Sequence, residues 1–373
     1  MAERRILASN RLIQTEACFE PDEELVAHLN STILGTPGRI RYKLTSIENK
    51  LAHMTELYFV LLRRKDKLLG SIGFHKRITC FGDSNYKSWY IRYFSIHAPF
   101  RARRQEKENV RDPERGSSII RDATSQYMID PGLLMAENYD KSEKSLVYGY
   151  IETLNFRSMN FSEQVGYETI RKLKTLIFTR LKLRPGIKSE RIENSRIEDF
   201  KIVLKDFYKD HSFFTTDNMF FNGNYFVHLE NGEIQAGLQV HPEAWEVLEL
   251  KGRVNTSLLK ILPVLPYIKG IFNPNDFRFL AIEGIYFKEG KEALIELLIE
   301  SVCAHFKTHF ALFWIDSNSE LYELLDRSID FGIIGRSFDR AEANVRVRFN
   351  NYSEEEKREF FDNPSYMSAY DSV

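Results

Sequence analysis

Few side chains in this sequence stand at spacings that could run metal or nucleophilic chemistry. His305 and His309 lie four apart, which on one helix would turn two imidazoles to the same face and could begin a metal site. Phe310, however, opens a strand-like apolar run, so His309 is expected to leave the helix, and no metal is assigned. Cys18, Cys80 and Cys303 are odd in number, widely spaced and without a CxxC pair, which argues against both a zinc site and a disulfide framework. The sequence holds no HExxH, no GxSxG, no Walker loop and no GxGxxG at a strand–helix junction. What remains is the run from Asn155 to Tyr167, Asn-Phe-Arg-Ser-Met-Asn-Phe-Ser-Glu-Gln-Val-Gly-Tyr. It reads as a strand-to-helix turn in which Asn155 opens a short helix and Gly166 ends it in a left-handed cap.

The elements that must hold such a segment need a sizeable core. With 373 residues, 43% hydrophobic and 28% charged, the chain has the make-up of a soluble globular protein of two domains. Its 52 basic and 53 acidic side chains leave a net charge of -1, which offers no field for nucleic acid or an anionic membrane. The aromatic content, 13%, therefore reads as strand packing and not as base stacking. Neither an apolar leader after Met-Ala-Glu-Arg-Arg nor a run of 18 apolar residues occurs, which predicts a cytoplasmic protein.

The organisation is a duplication. Tyr58-Phe59-Val60 opens an apolar run that breaks at Arg63–Lys67 and resumes through Gly70 to His75. Tyr225-Phe226-Val227 opens the same pattern, turns at Asn231-Gly232 and resumes through Gly237 to His241. Each is a β-hairpin, and Asn-Gly marks the second turn as type I′. Strand-like runs follow at residues 89–96 and 279–287, helical stretches at 117–128 and 291–307, and further strands at 146–151 and 310–315. Four elements in one order, with the hairpins and the last strands offset by about 165 residues, indicate a repeated unit. The seam falls at Leu183-Arg184-Pro185-Gly186. This gives units at 1–186 and 187–351, and residues 352–373 read as a short helix with a loose tail.

The order of elements and the segment from Asn155 to Tyr167 resemble the GNAT superfamily of N-acetyltransferases. The resemblance implies an α/β (α+β) fold of two tandem GNAT-like domains, each a mixed, mostly antiparallel sheet flanked by helices. In that family the Asn and the helix after it lie beside the pantetheine arm and thioester of acyl-coenzyme A, which here points to Asn155 and Ser158. The family's pyrophosphate loop, between its fourth strand and third helix, is similar to Phe94 to Arg104 followed by Arg115-Gly116-Ser117-Ser118-Ile119-Ile120, split by an insertion at 105–114. Small residues there let backbone N–H groups reach phosphate oxygens at a helix start. By this resemblance Ile96, Arg103, Arg115, Gly116, Ser117 and Ser118 join Asn155 and Ser158 as cofactor-binding residues, and the cofactor is acetyl-CoA or another acyl-CoA.

Two departures stand beside the resemblance. Ser118 replaces the usual second Gly or Ala, and Ser162 stands where many members carry the Tyr that protonates the departing thiolate. For the base that frees the attacking amine, the candidates are His97, at the end of the fourth strand, and Glu152, near the end of the fifth. The second unit has Lys288-Glu289-Gly290-Lys291-Glu292 at the corresponding turn, where Glu289 and Glu292 would repel a pyrophosphate. The reading is thus an N-acyltransferase acting on a small-molecule or peptide amine with its cofactor in the first unit. The alternative is a catalytically inactive ligand- or protein-binding module of the same fold.

Overall fold

The computed structural model describes residues 4–9, 11, 13–45, 47–96, 119–250, 270–337 and 340–372. In the first half β1 (Arg4–Ser9), β2 (Gln14–Cys18), α1 (Glu23–Ser31), β3 (Arg41–Leu44) and α2 (Ile47–His53) precede the meander β4 (Leu57–Arg64), β5 (Lys67–Phe81) and β6 (Ser84–Ile96). Then come α3 (Ile119–Ile129), β7 (Ser145–Glu152), α4 (Phe156–Gln164) and β8 (Glu168–Thr179). The second half runs β9 (Glu190–Arg191), α5 (Ile197–Phe207), β10 (Tyr225–Glu230), β11 (Glu233–Glu249), β12 (Phe277–Phe287), α6 (Leu294–Phe306) and β13 (Phe310–Asp316). It ends with α7 (Glu320–Ser328), α8 (Gly332–Ser337), β14 (Glu342–Asn350) and α9 (Glu354–Asp362).

Local chemistry accounts for these boundaries. Asn231 and Gly232 both take positive φ, 52° and 82°, as a type I′ hairpin between β10 and β11 requires. Asp22 caps α1 and Ser353 forms a capping box with Glu356 at α9, each satisfying otherwise orphaned amides. β13 (FALFWID) has no alternation because helices and sheet neighbours cover both its faces. Leu298, Ile299 and Val302 of α6 are fully buried against it, each worth about 1.5–3 kcal/mol of transfer free energy. His309 does leave α6, past Lys307 at φ 53°, and donates from Nδ1 to the Arg180 carbonyl at 2.7 Å.

The described strands form one 14-stranded sheet, in the order β1-β2-β4-β5-β6-β7-β14-β8-β13-β12-β11-β10-β9, with β3 alongside β11. The centre of this order is an exchange. β8, the last strand of the first half, pairs with β13 of the second, and β14, the last strand of the second, pairs with β7 of the first. β8 and β14 also pair with each other, which closes the centre. The seam at Pro185-Gly186 lies in a loop docked on α6, where Ser301 Oγ accepts from the Gly186 amide at 3.1 Å. We propose residue 186 as the boundary of the duplication and not as a line between separable folding units.

The loose tail expected after α9 is corrected. Every residue from Ser365 to Asp371 is buried, held between the halves by hydrogen bonds to both. Its polar composition misled because those polar groups find partners inside the protein instead of water.

Candidate functional site

β6 and β7 are parallel neighbours that pair only where Ser88, Trp89 and Tyr90 face Leu146, Val147 and Tyr148. From Ile91 and Gly149 onward the two strands part. The cause lies in β6, which carries an extra residue between the pairs Gly73–Arg92 and Ser71–Ser95. Tyr93 in this bulge has φ 53°, a left-handed conformation that costs a non-glycine residue about 1–2 kcal/mol. β5 grips β6 on both sides of the bulge, so β6 bends with β5 and away from β7. Among the described residues the backbone N–H and C=O groups of the parted lips are not paired from strand to strand. An extended ligand carrying its own amides can hydrogen-bond them as an added strand would.

β12 and β13 repeat this geometry. They pair only at Leu280–Ala311 and Ala281–Leu312, and β12 bulges at Gly284, φ 57°, between Gln239–Glu283 and Gly237–Tyr286. The sequence pattern gave the strands, but it carried no sign of either bulge: Tyr93 is not a residue that turn chemistry would single out.

On the β7 lip, Asn155 caps α4, its Oδ1 accepting from the Ser158 amide at 3.2 Å. The structure therefore brings these two predicted cofactor residues together as donor and acceptor of one bond. Gly166 takes φ +81° and ends the helix as expected, and buried Tyr167 donates its hydroxyl to the Met128 carbonyl at 2.5 Å. Arg346 and Arg348 of β14 brace the same turn, donating to the Tyr167 and Val165 carbonyls at 2.6 and 2.9 Å. Ser162 is buried and donates to the Met159 carbonyl at 2.7 Å, so its hydroxyl is spent inside the helix. Phe161 stacks on Phe94 of the opposite lip, with ring centroids 6.1 Å apart.

Glu152 ends β7 and accepts from the Thr36 hydroxyl, in the loop between α1 and β3. Tyr42 of β3 lies near it and stacks on Trp245, centroids 3.8 Å apart; burial, with the Glu152 charge second, raises the Tyr42 hydroxyl pKa. Thr36 and Tyr42 were not found from sequence, since neither belongs to a motif. Ile96 forms the end of β6 opposite Gly70. His97, Arg103, Arg115, Gly116, Ser117 and Ser118 lie outside the described residues.

Beneath the parted strands is a buried polar seam between the halves. Arg77 of β5 grips Asp371 through two hydrogen bonds and also donates to His75 Nδ1 at 2.9 Å. Burial, then the Arg77 and Arg92 charges, push His75 down to about 2, so it is a neutral acceptor at physiological pH. In the second half His241 donates to Glu283, and Lys50 of α2, from the first half, lies 2.8 Å from Glu243 with both side chains buried. Burial draws Lys50 down to about 8 against the opposing pull of Glu243. Strand register makes Arg77 and Arg92 the counterparts of Glu243 and Glu283. The same register positions thus carry basic side chains in the first repeat and acidic ones in the second.

No family model and no curated protein matches the sequence. Solved structures do match. Saccharomyces cerevisiae N-myristoyltransferase with bound myristoyl-CoA superposes with a TM-score of 0.57 at 10% identity, covering 94% of this chain and 86% of that one. A second structure of that enzyme gives 0.55 at 11% identity, covering 90% and 79%. A GCN5-related N-acetyltransferase from Sphaerobacter thermophilus gives 0.45 at 11%, covering 79% and 81%. The fold is a tandem GNAT-like one, shared with these N-myristoyltransferase structures. In this tandem GNAT fold the parted β6 and β7 and the α4 cap occupy the first repeat, and the parted β12 and β13 the second. Among the described residues no group of His, Cys, Asp and Glu could hold a metal ion, and no helix is long and apolar enough to cross a membrane.

Proposed function

We propose that the chain is an acyl-CoA-dependent N-acyltransferase, with acyl-CoA between β6 and β7 and an amine acceptor, peptide or small molecule, entering beside Glu152. The observation that carries the reading is the parting of β6 from β7 at a strained bulge beside the capped start of α4. A myristoyl-CoA-binding enzyme shares the fold. The ligand supplies an activated acyl thioester; acetyl-CoA is the simplest candidate. The chain's own groups do the rest. Backbone amides along the lips and at the start of α4 orient the ligand's extended arm and its carbonyl, with Asn155 fixing the helix end that bears Ser158. Arg103, Arg115, Gly116, Ser117 and Ser118 are assigned to the phosphates, and Ile96 to the cofactor beside them. Glu152 takes the proton of the attacking amine, with Thr36 holding its carboxylate in place, and His97 is the alternative base. The amine nitrogen forms the new bond to the acyl carbon as the carbon–sulfur bond breaks.

Ser162 supports a second reading, a binding module without turnover. Its hydroxyl is committed to Met159, so the departing sulfur would draw its proton from solvent. Calorimetric titration with acetyl-CoA and with myristoyl-CoA tests both readings. Saturable binding that is lost on combining Arg115→Glu with Gly116→Asp supports the site, and no heat at millimolar concentrations of either ligand overturns it. Thiol release on mixing the acyl-CoA with an amine library then separates enzyme from binder.

A further inference from the structure

The two repeats part their strands in the same way, yet the second opening is already filled. Ser365 donates its amide to Asp316 Oδ2 on β13 at 2.9 Å. The next residue, Tyr366, donates its hydroxyl to Glu283 Oε2 on the bulge of β12 at 3.1 Å. One short stretch of chain therefore bridges both lips of the second opening, and Met367 lines the small cavity left there together with Ile285 and Phe313. The bulge carbonyls, the groups an inserted ligand would meet, are taken as well. Tyr225 donates to the Gly284 carbonyl and Tyr208 to the Ile285 carbonyl, both at 2.7 Å.

The stretch is fastened along its length. The Tyr366 amide donates to the Ser212 carbonyl at 2.8 Å, Asn218 donates to Ser368 Oγ at 2.9 Å, and Asp371 is forked by Arg77. Each of these groups is buried, so pulling the stretch out would strand several polar atoms without partners.

We propose that Ser365–Asp371 is an internal ligand of the second repeat, filling with protein the opening that the first repeat keeps for acyl-CoA, so that the chain takes one such ligand and not two. The stoichiometry rests on the function proposed above; the occupancy of the second opening does not. Glu289 and Glu292 would disfavour phosphates at the second repeat in any case, so the probe must lack them.

Native mass spectrometry of the full chain with pantetheine, read beside amide exchange of the free protein, tests the proposal. Expected are one bound pantetheine and exchange at the Ser365 and Tyr366 amides at least about 100-fold slower than in an unstructured peptide. Two bound pantetheines overturn it, as does exchange at those amides at the rate of an open loop. No bound pantetheine with slow exchange supports the internal ligand and removes the cofactor reading of the first repeat. A Tyr366→Phe variant, which keeps the ring and loses only the contact to Glu283, should speed exchange at Ser365 and Tyr366 several-fold and leave the β4–β5 hairpin unchanged. Equal acceleration across both regions would mean that the stretch merely contributes to global stability, and would overturn the proposal.

Discussion

Arg77 and Asp371, separated by 294 positions in sequence, meet through two hydrogen bonds of 2.8 and 2.9 Å, and each side chain is only 1% exposed. The fork binds the second strand of the first hairpin to the end of the buried closing stretch. Tyr90 adds a third tie, its hydroxyl donating to the Asp371 carbonyl at 3.0 Å.

Breaking this pair from one side leaves a buried charge without its partner. Asp371→Asn or Arg77→Met should each cost about 3–5 kcal/mol in urea unfolding. The double substitution should cost less than the two singles added together, because it removes both charges. Strict additivity would show that the fork is not a coupled pair.

His75 is held at about 2 and His211 at about 4, in both cases chiefly by burial. Both values lie below the ordinary value near 6.5, so at lower pH the unfolded chain binds protons that the folded chain refuses. Stability from these two groups is therefore complete above pH 6.5 and falls as the pH drops toward 4. The slope should approach about 2.7 kcal/mol per pH unit where both are protonated in the unfolded state and still neutral in the folded one. Urea midpoints measured at pH 7.5, 6 and 5 check this; His211→Gln should remove up to half of the slope.

Gly166→Ala should destabilise the protein by about 1–2 kcal/mol, since φ is +81° there. An added Cβ would also lie 2.2 Å from Arg348 Nη1, displacing the side chain that caps the Val165 carbonyl. Thermal unfolding followed by circular dichroism measures the loss. An unchanged midpoint would mean that the α4 turn relaxes freely.

Glu152→Gln and Asn155→Ala should separate chemistry from binding. Removing the carboxylate should lower kcat for amine acylation by about 10²–10⁴-fold and leave acyl-CoA affinity within a few-fold. Removing the cap should cost about 1 kcal/mol of stability and weaken acyl-CoA binding. Equal loss of affinity in both variants would move Glu152 from base to binding residue.

Much of this architecture could be read from residue order, because periodicity reports which faces are buried. The two hairpins, the Asn-Gly turn, the Gly166 cap and the inward Tyr167 all follow from local rules. The bulges at Tyr93 and Gly284 do not, because they depend on how β5 and β11 hold their neighbours. Nor does the burial of Ser365–Asp371, a polar stretch whose partners at Arg77, Ser212, Asn218, Glu283 and Asp316 are distant in sequence. At the site, Asn155 was legible as the residue that opens α4, whereas Thr36 against Glu152 is a long-range contact without a local signature.

The exchange of β8 and β14 also governs how the chain can be made. When the first half has left the ribosome, β7 has β6 on one edge and nothing on the other, and β8 has neither of its final neighbours. Those edges wait for β13 and for β14, which ends at Asn350. Until then they are open templates for pairing with another chain, at a stage when most of the apolar sheet has already been synthesised. Folding of this protein is therefore completed only once β13 and β14 have been made and not repeat by repeat, and in crowded expression hosts its yield should depend on holding chaperones more than on the stability of the finished molecule.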